Sequence, residues 1–340
     1  MTTANILSQL GSPGVSTGFK NRIINGSMVI DQRNAGASVT PTTNAYTLDR
    51  WLAVNGGVSS KFSVQQTPSA TETGYATRVG AGFTNYLAAT SLSAYSVGAT
   101  DKFTISQYIE GYNASDLGWG TSSAKTITLS AWVYSSLTGT FGGSLQNSAA
   151  NRSYPFSYSI PVANTWTQIA ITIAGDTTGT WLVNNGIGIE VNFSFGAGST
   201  FSGTAGSWAG ADYRSATSAV SVVGTNGATF YITGVQLEVG TTATNFDYRS
   251  YGTEFSLCQR YYSTGSMISS KTAAGAGSTY NATFQTQMRS APTFTGTIVA
   301  GQNTTAPFPY STSTYGQIGY SNGGAVGDFT YWNFTANAEL

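Results

Sequence analysis

The side chains able to act as nucleophiles, bases or metal ligands are few and mostly of one kind. The chain has no His and a single Cys, Cys258, beside 14 Asp and Glu and 14 Lys and Arg. Without imidazole there is no Ser-His-Asp triad, no histidine base and no His-ligated zinc. One thiol makes no disulfide within the chain and no thiolate cluster. Carboxylates remain, and a pair of them is the machinery of glycoside hydrolysis. Yet most stand near arginine or in turns: Asp31 near Arg33, Asp49 beside Arg50, Asp212 near Arg214, Asp247 near Arg249. Carboxylate oxygens placed so accept guanidinium and backbone N–H groups, and ion pairs or Asp turns are the simpler reading. A formal net charge of zero, with no Lys/Arg block, leaves no electrostatic footprint for nucleic acid.

Recognition chemistry is better supplied, by 7 Trp, 20 Tyr and 17 Phe. Trp119 in LGWGTSS and Trp208 in GSWAGADYR, with Tyr213, lie among Gly and Ser and read as loop residues. A loop aromatic can stack on the C–H face of a sugar ring while neighbouring hydroxyls and amides read its O–H groups. The competing reading is a loop pinned by its own buried ring. Trp51, Trp132, Trp166 and Trp181 fall in or beside strand-like runs and are expected in the core. Tyr310, Tyr315, Tyr320, Tyr331 and Trp332 give the C-terminal part an aromatic surface or a shared core between copies. Tyr310 and Tyr315 join Trp119, Trp208 and Tyr213 as ligand-binding candidates.

The elements that must position these residues have a period of two. Over 126–134, Ile127, Leu129, Ala131 and Val133 face one way, and Thr128, Ser130, Trp132 and Tyr134 the other. Ile169, Ile171 and Ile173 repeat the pattern, as do Ile187, Ile189, Val191, Phe193 and Phe195. Such runs, bounded by Gly, Asn and Asp, predict half-buried antiparallel strands. Between Phe230 and Val239 the parity switches at Gly234, which predicts a β-bulge. One stretch, 252–262, predicts a helix of two to three turns capped by Thr253, with Phe255, Leu257, Cys258, Tyr261 and Tyr262 on its apolar stripe. Cys258 is then a buried small hydrophobe rather than a reactive thiol.

The expected fold is all-β: an extended arm over 1–20, a two-sheet sandwich over 21–249, and a smaller β unit over 250–340 that opens with the helix. The arm carries Ile6, Leu7 and Leu10 and nothing that builds a core. No segment reaches the 18 or so apolar residues of a membrane span. The N-terminus lacks the charged and apolar regions of a secretory signal, so synthesis in a cytoplasm and no membrane association are expected.

Several stretches carry a family resemblance. NRIINGSMVIDQRN (21–34) followed by YTLDRW (46–51), NTWTQIAITIAGDTTGTW (164–181) and GVQLEVGTTATNFDYRSYGTEFSLCQRYY (234–262) resemble a jelly-roll module of bacteriophage virion proteins. QMRSAPTFTG (287–296) and FTANAEL (334–340) are similar to the C-terminal unit of the same proteins. Together they cover most of the chain from Asn21 onward. The jelly roll itself resembles carbohydrate-binding modules.

The resemblance implies a non-enzymatic phage structural protein on the virion surface, a tail fibre or adhesin that binds a host-surface glycan. A capsid decoration or head-fibre protein is the alternative, and a polysaccharide-degrading enzyme a distant one. The expected partners are another phage structural protein, tail adaptor or capsid, docked through Ile6, Leu7 and Leu10, and two further copies of the chain. Phe294, Phe308, Phe329, Tyr331, Trp332 and Phe334 are the expected trimer interface, since so many rings in a short, nearly uncharged unit need covering. Some carbohydrate-binding jelly rolls hold structural calcium, for which Glu238 or Asp176 would serve. No D-x-D-x-D run supports it, and neither metal nor cofactor is expected.

Overall fold

A computed structural model describes residues 20–71, 82–270, 278–301, 308–312, 314, 316–321 and 329–340. The period-two runs fold as antiparallel strands in two packed sheets. One sheet holds β1 (Ala45–Leu48), β2 (Trp51–Gly56), β5 (Lys102–Glu110), β10 (Ile187–Ala197), β7 (Gly139–Gln146) and β8 (Ser153–Ile160), in that spatial order. The other holds β3 (Phe62–Pro68), β4 (Asn85–Ser91), β13 (Thr229–Val239), β6 (Ile127–Ser135) and β9 (Thr167–Ile173). Sequence neighbours such as β5 and β6 lie in different sheets, and the result is a jelly-roll sandwich. Side chains of one parity fill the space between the sheets. Phe62 packs edge-on against Phe103 and Phe195 at ring separations of 6.4 and 5.2 Å, and Ile127, Leu129 and Val133 are fully buried beside them.

The parity switch is a bulge, as its sequence pattern predicts. Pairing of β13 with β6 slips between Thr233 and Gln236, and Gly234 takes φ +60°. The preceding chain stitches the bulge in place. Asn21 donates to the Val235 carbonyl and accepts from Leu237 N, while Val235 N donates to the Gly26 carbonyl. This explains why an Asn and a Gly stand in NRIING.

Outer faces of the two sheets differ. That of the six-stranded sheet is polar and covered by the segment 198–219, which includes the short parallel pair β11 (Ser202–Gly203) and β12 (Ser215–Ala216). Arg214 pairs there with Glu190 and with Asp212 (2.7 Å), and Lys102 reaches Asp212 at 3.1 Å. The Asp212–Arg214 pairing expected from sequence is present. Arg50 instead bypasses its neighbour Asp49, and Arg249 bypasses Asp247 to pair with Glu254. Asp31 caps a turn, accepting from Asn34 N and Gly36 N.

The helix, α1, spans Tyr251–Gln259. Ser250 caps it, its hydroxyl accepting from Thr253 N, so Thr253 is the donor and not the cap. Its buried side is mixed: Cys258 with Glu254 and Gln259. Burial drives the Cys258 thiol well above its ordinary range, which keeps it protonated and inert. No helix among the described residues is long and apolar enough to cross a membrane.

Two three-stranded sheets follow: β14 (Tyr262–Ser270), β19 (Phe329–Asn337) and β16 (Thr293–Gly301), then β15 (Ser278–Thr283), β18 (Gly316–Ser321) and β17 (Phe308–Thr312). Phe334 corrects the expected interface. It is buried within its own unit, opposite Gly265 and Gly296, against Phe284, Phe294 and Met288. Gly265 leaves room for its ring, where a Cβ would come within 2.6 Å, and covering it needs no second copy. Phe294 packs on the same cluster, and Tyr331 is half-buried. Ile6, Leu7 and Leu10 lie outside the described residues, as do the side chains of Phe308, Tyr310, Tyr315, Phe329 and Trp332.

The two units are joined by buried charge. The Glu339 carboxylate meets Arg33 at 2.8 Å and Arg50, whose guanidinium lies 3.5 Å from the Tyr261 ring centre. Arg260 and the Tyr261 hydroxyl both donate to Glu110 of β5, at 2.6 and 2.7 Å. Nearby, burial raises the Asp49 carboxyl to about 6, against the opposing pull of Arg33 and Gln32. A raised carboxyl means that the native state binds the extra proton between about pH 4 and 6. Asp49 therefore subtracts stability as pH rises through that window. Denaturation of the native chain and of Asp49→Asn at pH 4.5 and 7 is expected to show the variant gaining on the native chain at the higher pH.

Candidate functional site

The strand parity that buries Ile127, Leu129 and Val133 turns Ser130, Trp132 and Tyr134 of β6 outward. Sheet register sets their neighbours. Tyr134 lies opposite Tyr231 of β13, the rings stacked at 4.7 Å and 6°. Tyr86 and Trp166 close around this pair, with Tyr86 5.0 Å from Tyr231 and Trp166 5.6 Å from Tyr134. Trp132 lies opposite Thr233 on one side and Gln168 of β9 on the other. The outer face of the five-stranded sheet is thus an aromatic surface, where most solvent-facing sheets carry charge and hydroxyls.

A strap, residues 241–249, folds back over this face. Outward residues of β13 beyond the bulge hold it down. Glu238 accepts from Thr244 N and from its hydroxyl, at 2.8 and 2.7 Å, and Gln236 accepts from Asp247 N at 2.8 Å. Both Glu238 oxygens accept hydrogen bonds in this way, which compensates its burial. Lys20 adds a tie across the rim, its ammonium donating to the Thr244 hydroxyl and the Asn245 carbonyl. Held there, Phe246 packs edge-on against Phe83 at 5.0 Å, and Tyr248 meets both rings at 5.3 and 4.9 Å.

Between strap and sheet lies an open cleft of about 520 Å³. Trp132 forms its floor and Phe246 and Tyr248 a wall, with Gln168, Thr244 and Asn245 supplying exposed amides and a hydroxyl. Tyr248 is 52% exposed, and partial burial raises its phenol, which stays a neutral hydrogen-bonding group. None of the described lining residues is charged. A few apolar rings with convergent polar groups are the make-up of a small-ligand cleft.

Gly234 shapes the cleft. A Cβ at this position would lie 2.8 Å from the Phe83 ring and 3.3 Å from Trp132. Gly234→Ala is expected to cost about 1–2 kcal/mol from the left-handed backbone alone, and to push Phe83 and Trp132 apart. Urea denaturation with near-ultraviolet circular dichroism checks both effects.

The loop aromatics expected to bind ligand lie elsewhere. Trp119 is only 7% exposed, and its indole donates to the Lys125 carbonyl. Its ring meets Trp181 at 4.7 Å and Trp208 at 5.3 Å, all near perpendicular. This corrects its reading as a stacking platform: its faces are already covered by two other indoles. Trp208 is half-buried in the same trio and donates to the Ala174 carbonyl. Tyr213 is half-buried, with its carbonyl accepting from Gln146. Neither lines the cleft. Trp132, placed in the core by its strand-like context, is the cleft residue missed. The signal was its place in the polar phase of the alternation.

No protein-family model and no curated protein matches the chain. Solved structures similar to it include a phage tailspike domain and carbohydrate-binding modules. The enzymatically active domain of bacteriophage CBA120 tailspike protein 4 aligns at 11% identity and TM-score 0.32, over 65% of this chain and 21% of that one. A protein of Bacteroides thetaiotaomicron VPI-5482 aligns at 11% identity and TM-score 0.36, over 65% of this chain and 100% of that one. A family 11 carbohydrate-binding module from Clostridium thermocellum, solved with a β-1,3-1,4-mixed-linked tetrasaccharide, aligns at 9% identity and TM-score 0.30, over 61% and 99%. At these identities and TM-scores the likenesses bear on the fold and not on function.

Proposed function

We propose that the chain is a non-enzymatic glycan-binding protein of a phage particle, a tail fibre or adhesin, whose binding site is the cleft between strap and five-stranded sheet. One observation carries the glycan reading: exposed rings beside uncharged amides and hydroxyls, the complement of a sugar's C–H face and O–H edge. The phage reading rests on the sequence resemblance. Attachment through the N-terminal arm fits the ties of Lys20, whose backbone N–H and ammonium bind Asp247 and the strap. No carboxylate lines the cleft among its described residues, so no acid–base pair faces a ligand there.

Binding of the purified chain to an array of bacterial surface glycans tests the reading. Retention of at least one glycan class is expected, without release of reducing sugar. No binding across the array overturns the glycan reading, and released sugar overturns the non-enzymatic one. Trimer formation stays part of the proposal in a narrower form, through surfaces other than Phe334. Sedimentation equilibrium at micromolar concentration tests it, and a monomer refutes it.

A further inference from the structure

The wall made by Phe246 and Tyr248 has a depression on each side. Beyond it lies a second cleft of about 210 Å³, lined by both of these residues and by Ser27, Thr84 and Tyr251. Tyr251 begins the helix, is 64% exposed, and is braced from beneath by Phe255, stacked at 6.0 Å and 10°. Gly82 passes against the Tyr248 ring with φ +114°, where a Cβ would come within 2.8 Å of it. The chain beside Tyr248 is thereby shaped to hold this exposed ring upright between the two depressions.

Resting on the glycan reading above, we infer that the two clefts are subsites of one groove, that Tyr248 is the rib between them, and that the ligand is a neutral glycan chain long enough to cross it. Three aromatic stations, Trp132, Tyr248 and Tyr251, then contact successive parts of one chain. A single sugar or a chain end fills only one cleft.

Charge decides the ligand's class. The first cleft has no charged residue among its described lining. Around the second, each charged side chain already has its counterpart. Asp247 accepts from the backbone N–H of Lys20 and Asn21, and Arg249 holds Glu254 and the Ile23 and Asn21 carbonyls. With Glu238 beneath the strap, three carboxylates face two cations, Lys20 and Arg249. The Arg249 guanidinium is held by Glu254 and two carbonyls and the Lys20 ammonium by the Thr244 hydroxyl and the Asn245 carbonyl, so a uronic or sialic acid would have to displace these bonds and would face the surplus carboxylate.

The test is an array of linear oligosaccharides from one to six residues long, in neutral and uronic- or sialic-acid-containing series, read at 50 and 500 mM salt. Affinity for the neutral series is expected to rise at least tenfold between two and four or more residues, and to change less than twofold with salt. Tyr251→Ala, at an exposed position, is expected to bring the long chains down to the affinity of the short ones. Tyr248→Ala removes the length dependence from both. Full affinity for a mono- or disaccharide overturns the two-subsite groove while leaving the glycan site standing. Preference for acidic chains with strong salt dependence overturns the neutral class. No binding by the native chain overturns the glycan reading and this inference together.

Discussion

Glu339→Ala is expected to lower the unfolding free energy by about 3–5 kcal/mol, the usual cost of removing one partner from a buried ion pair. Arg50 is 1% exposed and the Glu339 carboxylate 5%, so water cannot replace what is lost. Arg33, on the other carboxylate oxygen, loses its partner as well. The effect is larger than for a surface pair, worth about 0–1 kcal/mol, because the arginines stay buried and charged. The variant also loosens the C-terminal segment, which Arg289 holds by donating to the Ala338 and Glu339 carbonyls at 2.8 and 3.0 Å. Chemical denaturation of Glu339→Ala, Arg50→Ala and the double variant closes a thermodynamic cycle. A coupling energy above about 1 kcal/mol is expected for groups in direct contact. A loss below about 1 kcal/mol for Glu339→Ala, within the range of exposed pairs, contradicts a buried junction.

The second large effect is on binding. Trp132→Ala removes the floor of the cleft and is expected to weaken glycan affinity by about 30-fold or more, the roughly 2 kcal/mol of an aromatic hot spot. Trp132 faces out of the sandwich, so the core between the sheets stays filled and far-ultraviolet circular dichroism should not change. Trp208→Ala is the contrasting variant. Its ring packs against Trp119, Trp181 and Tyr154 away from the cleft, so affinity should stay within about twofold while thermal stability falls. The reverse outcome, binding lost with Trp208 and kept with Trp132, moves the site to the loop cluster.

Alternation made the strands legible in the sequence. The β6 run announces both faces of its sheet, and the phase change at Gly234 announces the bulge. The same alternation contained the site, since an aromatic at Trp132 stands where a half-exposed strand normally carries Thr or Ser. Its context of β-branched residues favoured the core, and only the register with Gln168, Tyr231 and Thr233 shows what it faces. Residues distant in sequence carry the rest. The strap returns from 241–249 to contact Phe83, and Lys20 reaches Thr244 across 224 positions. Glu339 finds Arg50 across 289, while Asp49, adjacent to that arginine, turns to Gln32. Local charge pairing suggests the wrong partner there because burial, not proximity in sequence, sets which carboxylate an arginine needs. Trp119 misled for a related reason. Gly and Ser around it mark a loop, but Trp181 and Trp208 arrive from two other loops and the three rings close on one another.

The most direct test is a crystal of the full chain soaked with the neutral oligosaccharide that binds most tightly on the array. The expected density lies between the strap and the five-stranded sheet, with a sugar ring over Trp132 and the chain passing Tyr248 toward Tyr251. Density on the opposite sheet, in place of the segment 198–219, or on the C-terminal unit with the cleft empty, contradicts it.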